Sequence, residues 1–416
     1  MRLKTSLSSH DRIISELNFT EPDHVPLFLL LKDYGDKYDK RTGFSFGNFY
    51  RYDVTRPFSF HNHIKRVEEV LNIGLDDTLR LEPPLGWAEE YIVEGVRDLR
   101  IKVAKFFSED KKAEFLKKSY ITHEGELSTV VRKTKDWPHG DNIPVFSDYS
   151  MSRTKEFLIK MHDDLKKLKY LLGEPTKDAY KNFKEEAREL KKAAKRLGVV
   201  LEGGRTALGD SVAWLLGMEN MIMAQYDNPE LIMDLLDILC AWEEKRAEVI
   251  ISEGIEILEH SAWYEITDFW TPDMYRKMLK PRLARLIKLA KDSDIKFKYI
   301  ITKSFTELAD EFLDLGIDSI MGVDPVQGNA NLKFLKEKLG GKISMWGGIN
   351  SAITLGRGTR EEIENATEGA IKILAPGGGF ILYPVDNIIA DANPWDNMEI
   401  MIKKWREMGN YPIKND

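Results

Sequence analysis

Cysteine is nearly absent from this sequence: Cys240 stands alone among 416 residues. No intramolecular disulfide and no Cys-x-x-Cys metal site can form, which suits a reducing compartment. Long apolar runs are missing as well. Residues 1–18 mix Arg, Lys, Asp and Glu with short apolar pairs, unlike a signal peptide. No stretch approaches the roughly 20 apolar residues that a bilayer requires. A cytoplasmic protein with no membrane partner is expected. Nor is positive charge in surplus: 61 Lys and Arg face 68 Asp and Glu, for a net charge of −7. That balance argues against a surface built to neutralise phosphates, so no nucleic-acid partner is expected. Repeats, low-complexity tracts and flexible linkers are also lacking. One domain over residues 1–416, with 43% hydrophobic residues to supply its core, is the expected organisation.

What is present is an alternation of short β-rich segments with longer amphipathic ones, the pattern of parallel strands joined by helical crossovers. Eight such segments occur, at 25–31, 78–81, 199–202, 255–260, 298–302, 319–323, 343–346 and 380–383. Between them, 229–252, 272–291, 306–315 and 359–374 carry apolar residues at helical spacing. Eight strands so spaced predict an α/β fold, a (β/α)8 TIM barrel. Strands two and three lie too far apart for one crossover, so an insertion is expected at about 90–172, with a hairpin at 120–131 turning at Gly125. Charged helices are predicted at 155–172 and 175–197.

In such a barrel the chemistry sits at the carboxyl ends of the strands. The residues expected there are Lys32 and Asp33; Glu82; Gly203, Gly204 and Arg205; His260, Trp263, Tyr264, Glu265 and Asp268; Thr302 and Lys303; Asp324; Asn350; and Asp386 and Asn387. Each has a plainer alternative. His260 could be a buried histidine bonded to backbone, Glu265 and Asp268 could cap the helix starting near Thr271, and Asp386 could close a turn. Gly203 and Gly204 could admit an anion to backbone amides beside Arg205, or simply let the chain turn. The aromatic group around Trp263 could face a planar ligand or form a lid. His61 and His63 have ligand-like spacing but diverge on a helix.

Several segments together resemble the uroporphyrinogen decarboxylase superfamily. They are Leu374-Ala375-Pro376-Gly377-Gly378-Gly379-Phe380-Ile381-Leu382 with Trp395-Asp396-Asn397, then Gly347-Gly348-Ile349-Asn350, Thr271-Pro272 leading to Lys280-Pro281-Arg282, and Glu21-Pro22-Asp23-His24-Val25-Pro26. The resemblance implies either a cofactor-free decarboxylase or a zinc methyltransferase that passes methyl groups to and from corrinoids. The decarboxylase's paired N-terminal arginines are lacking from 31–40, and Glu82 falls within one position of its aspartate. The methyltransferase's thiolates are lacking at Thr302-Lys303-Ser304 and at Val385-Asp386. A metal would therefore need oxygen and nitrogen donors, with His260, Glu265 and Asp386 as the candidate zinc ligands.

The leading expectation is corrinoid-linked methyl transfer from a small methylated substrate, the insertion at Gly125-Glu126-Leu127 and Ile159-Lys160 being similar to that branch. A corrinoid protein as partner and a homodimer are part of it, with His260, Glu265 and Asp386 polarising the leaving oxygen. The alternative is decarboxylation of a porphyrinogen or other polycarboxylate, with Glu82 or Asp386 placing the proton and Arg205 or Lys303 holding carboxylates. A non-catalytic tetrapyrrole- or corrinoid-binding protein is the rival from another class.

Overall fold

A computed structural model describes residues 5–29, 38–39, 44–45, 60–82, 99–135, 137, 139–173, 177–386 and 395–414. Lys32, Asp33 and Asn387 fall outside them. Eleven of the thirteen described strands form two sheets; β1 (Tyr38–Asp39) and β2 (Phe44–Ser45) make a short antiparallel pair apart. The strands of the main sheet are β3 (Thr78–Leu81), β8 (Val200–Ala207), β9 (Ile257–Ser261), β10 (Lys296–Ile300), β11 (Ser319–Val323), β12 (Ser344–Asn350) and β13 (Phe380–Val385). They lie in the order β13-β12-β11-β10-β9-β8-β3 and every pairing is parallel. These strands are buried on both faces, which is why apolar residues run through them with little alternation. Residues 25–29 reach both edges of this curled sheet, through parallel bridges from Leu27 to Leu382 and from Phe28 to Asp76.

Helices Lys177–Leu197, Pro229–Ile251, Lys280–Asp292, Ala309–Leu315, Leu332–Leu339 and Arg360–Leu374 cross between the strands. Their starts are written locally. Asn228 and Asn331 cap two of them, and Thr359 with Glu362 forms a capping box on a third. The helix expected at 272–291 carries a π turn, Tyr275–Leu279, just before Pro281. Proline has no N–H to close the regular bond, so the ladder widens there.

The insertion is a four-stranded antiparallel sheet of β4 (Arg100–Phe107), β5 (Glu114–Thr122), β6 (Gly125–Lys133) and β7 (Thr154–Glu156). The expected hairpin is present, with Thr122 opposite Gly125. The expected helix over 155–172 is not: β7 pairs with Val130 and Val131, and only Asp164–Leu168 is helical. The cause is local. Asp164 turns back to accept the N–H groups of Lys160 and Met161, closing a turn where the helix would have begun.

Two apolar clusters divide at the main sheet. One fills the space between sheet and helices. The other, with Val200, Ile257, Ile300, Met321, Trp346, Ile381 and Tyr383, lines the concave face, where Ile13 and Leu17 of the first helix join it. Among the described residues no helix is long and apolar enough to cross a membrane.

Candidate functional site

Side chains two apart on a strand share a face. Val200 and Ile257 belong to the concave cluster, so Glu202 and Glu259 point the same way, as does Lys298 with Ile300. These three meet Arg80 from β3. Lys298 Nζ lies against Glu202 and 2.9 Å from Glu259, while Arg80 Nε is 2.7 Å from Glu259. Thr78 adds a hydroxyl to Glu202 at 3.0 Å, and Lys298 sits 4.4 Å from the Trp346 ring centre. Burial would raise the Glu259 carboxyl, but Arg80, Lys298 and Arg205 hold it far below the usual carboxylate range. Glu202 ends up raised, because burial and Glu259 outweigh its lysine.

Arg205 joins this set through a bulge. β8 runs on through Ala207, and its register shifts between Gly203 and Thr206, which sets Gly204 and Arg205 together against Glu259. The bulge turns Arg205 inward. Gly203 faces the helices, where a Cβ would strike Ile255. Gly203, Gly204 and Arg205 therefore make no amide nest at a loop; they are strand residues, and only Arg205 looks into the concavity. At the end of β3, Glu82 Oε1 is 4.0 Å from Arg80 Nη1, and its buried Oε2 has no hydrogen-bond partner among the described residues.

His260 faces the other way. It stacks on Tyr299 at 5.4 Å between Thr206, 2.8 Å from Nδ1, and Glu265, 3.1 Å from Nε2. Glu265 also accepts the Gly209 amide at 2.7 Å and the Tyr299 hydroxyl. Both residues are wholly buried on the helix-facing side, and the His260 ring is bonded to side chains rather than to backbone. Glu265 and Asp268 do not cap the helix near Thr271: Thr271 caps it itself, Glu265 instead takes the first amide of helix Gly209–Leu216, and Asp268 pairs with Lys303 at 3.0 Å. Asp386 follows β13 in the left-handed region, φ 80°, where its carbonyl receives the Tyr383 hydroxyl at 3.4 Å. Among the described residues no group of three or more His, Cys, Asp and Glu side chains is placed to hold a metal.

The aromatic loop after β9 is firmly tied. Asp210 accepts the N–H groups of Trp263 and Tyr264 at 3.2 and 2.7 Å and the Ser261 hydroxyl at 2.8 Å. Burial and the neighbouring Glu265 push the Asp210 carboxyl up to about 7. The Tyr264 hydroxyl donates to Asp148 of the insertion, and the Trp263 ring centre lies 5.1 Å from the Arg205 guanidinium. Asp324 and Asn350 are joined at 2.7 Å, with Asn350 also giving 2.9 Å to Gln327; this ties the ends of β11 and β12 together. Thr302 stands just past the end of β10.

Residues 148–408, more than half of the chain, match the model of the family described as Uroporphyrinogen decarboxylase (URO-D). The chain belongs to the uroporphyrinogen decarboxylase family. Among solved structures, this URO-D member is similar to a methyltransferase from Methanosarcina mazei, at 16% identity over 97% of this chain and 99% of that one, with a TM-score of 0.55. A B12-independent methionine synthase from Shewanella sp. W3-18-1 matches at 12% identity over 92% and 95% of the two chains, with a TM-score of 0.43. At 16% identity the likeness to the methyltransferase is one of fold. No curated protein sequence gives a significant match.

A zinc and thiolate set of the kind found in methyltransferases of this superfamily does not fit the residues present. Cys240 is buried on helix Pro229–Ile251, its thiol 3.6 Å from the Arg282 carbonyl and pushed up to about 12 by burial. It lies on the helix side, within the outer cluster. Of the inward set, the sequence pattern marked Arg205 and Glu82. It passed over Glu202, Glu259 and Lys298, although a charged residue inside an otherwise apolar parallel strand was the available signal.

Proposed function

We propose that this URO-D family member is an enzyme that decarboxylates a small carboxylated molecule by acid–base chemistry at the carboxyl edge of its sheet, with residues 25–29 closing that sheet as the first strand of a (β/α)8 barrel. The observation that carries the reading is Glu82, a carboxyl group with one oxygen toward Arg80 and the other without a partner among the described residues. When the bond to the departing carboxylate breaks, CO2 leaves and the electron pair stays on the substrate carbon. Glu82 supplies the proton which that carbon takes up, and water returns one to Glu82. Arg80, anchored on Glu259, keeps positive charge beside the developing anion.

Corrinoid-linked methyl transfer, the leading expectation from sequence, has less support. The thiolates are lacking, and the two central members of the proposed oxygen and nitrogen set, His260 and Glu265, are bonded to each other away from the concavity.

The test is release of labelled CO2 from a panel of aromatic and pyrrolic acids carrying carbon-13 in the carboxyl group. The native protein is expected to release it from at least one, with Glu82→Gln slower by roughly 10²–10⁴ and Glu82→Asp between the two. Tight binding without turnover across the panel would favour the non-catalytic binder, and full activity in Glu82→Gln would remove the assigned role.

A further inference from the structure

Strand β4, the outer strand of the inserted sheet, is exposed on both faces. Seven of its eight residues are open to solvent, among them Val103, Phe106 and Phe107, the last 60% exposed. Among the described residues nothing pairs with its outer edge. Which backbone groups that edge presents follows from the ladder to β5. Ser108 donates to the Ala113 carbonyl at 2.9 Å in unbroken register with the rest of the pair, so Arg100, Lys102, Ala104 and Phe106 turn their N–H and C=O groups inward. The intervening residues, Ile101, Val103, Lys105 and Phe107, turn theirs outward. Lysines commonly guard such an edge against pairing. Here Lys105 is drawn to Asp141 at 2.7 Å, and the guard stands among exposed apolar side chains.

The strand is complementary to itself. Laid antiparallel against a second copy, with Ala104 opposite its own mate, all four outward residues on each side find hydrogen-bonding partners, Ile101 with Phe107 and Val103 with Lys105. Like charges never stand opposite one another in this register: Lys102 faces Phe106, and Lys105 faces Val103. Arg100 faces the partner's Ser108, whose hydroxyl is bonded to Asp110 in an exposed turn that also carries Glu109, so each end of the pair sets a cation beside carboxylates. Neighbouring registers are poorer. Centring on Lys105 would set two lysines face to face, and centring on Val103 would leave Phe107 opposite Leu99, which is already buried.

We propose that two copies of the chain pair along their β4 strands, antiparallel about a two-fold axis at Ala104, joining two four-stranded sheets into one. Such an axis makes the contact closed and isologous, so association stops at the dimer. A contact of one strand per copy lies at the small end of specific interfaces, below roughly 1,200 Å² in total, and the dimer is therefore reversible with concentration.

Sedimentation velocity of the native full chain over a concentration series gives the first reading. The mass is expected to climb from the 47.9 kDa of one chain toward twice that value. Val103→Pro removes an outward N–H and leaves the β5 ladder alone, and should weaken association at least about tenfold. Ala104→Cys reads the register. Its mate would lie about 4.5 Å away between Cα atoms, within disulfide reach, so a mild oxidant should link two copies through a bond that reductant opens. Lys102→Cys, whose mate would lie about 13 Å off, should not be linked, and the native Cys240 is buried away from the reaction. A native protein that keeps the mass of one chain up to about 300 μM would overturn the proposal and leave the edge to a strand of a different protein; this reading needs no variant to fold. A dimer that survives in folded Val103→Pro, or one in which Ala104→Cys is linked no better than Lys102→Cys, would overturn it as well, placing the contact on another face.

Discussion

At the scale of single residues, the face a side chain takes decides its role. His260 and Glu259 are adjacent, yet one looks toward the helices and the other into the concavity. His260→Ala would leave Glu265 and Thr206 each short of a partner in a wholly buried place and would open a hole beside Tyr299. A loss of about 2–4 kcal/mol in stability is expected, read from urea denaturation midpoints. A stability change below about 0.5 kcal/mol would show that the network does not hold the fold. This also marks what the sequence could not convey. Histidine at the end of an apolar strand suggested chemistry, but parity along β9 points it outward. On β8 the bulge resets that parity, which is how Arg205 comes to face Glu259, and a bulge has no strong sequence signature beyond its glycines.

At the scale of elements, the parallel strands were the most legible. Two of them, Thr78–Leu81 and Ser319–Val323, have the ends the sequence suggested. β8 and β12 run five and four residues further than their apolar segments, through glycine pairs that look like loop punctuation; a Cβ at Gly347 would meet the Val323 backbone of β11, and one at Gly203 the Ile255 side chain. Gly322 shows the principle in β11. Its φ is +117°, and a Cβ there would run into the Ile301 carbonyl just past the end of β10. Gly322→Ala should cost about 2–4 kcal/mol, with no gain from trimming nearby side chains because the obstacle is backbone. Thermal unfolding of the variant measures it. The capping box at Thr359 offers a milder check: Thr359→Ala should cost about 1 kcal/mol by the same assay, with the site untouched. The missed β7 belongs to a different cause. Lys155 to Leu172 has helical composition, but strand pairing and the Asp164 turn override it, a tertiary outcome that local propensity does not contain.

At the scale of the whole molecule, the two ends of the chain meet beneath the sheet. Glu16 of the first helix accepts the Tyr411 hydroxyl at 2.8 Å and the Phe380 amide at 3.0 Å, joining the amino-terminal helix, β13 and the carboxyl-terminal segment. Burial pushes its carboxyl up to about 8, from an ordinary 4.5. Between those values the folded protein keeps a proton that the unfolded chain has lost. The Glu16 contribution to stability is therefore full at low pH, declines as pH rises from about 4.5 and is gone above about 8. Denaturation midpoints measured across that window should fall with pH more steeply in the native protein than in Glu16→Gln.

The charges on the concave face give the molecule its proposed purpose, and the fate of the one-carbon unit tests it most directly. Once an acid from the panel proves active, it is turned over in heavy water with its carboxyl carbon labelled, and the products are read by mass spectrometry and NMR. The account predicts labelled CO2 together with one solvent deuterium on the carbon that lost it, both suppressed in Glu82→Gln. A substrate that keeps its carboxyl group while a methyl group moves to a thiol or corrinoid acceptor would contradict it.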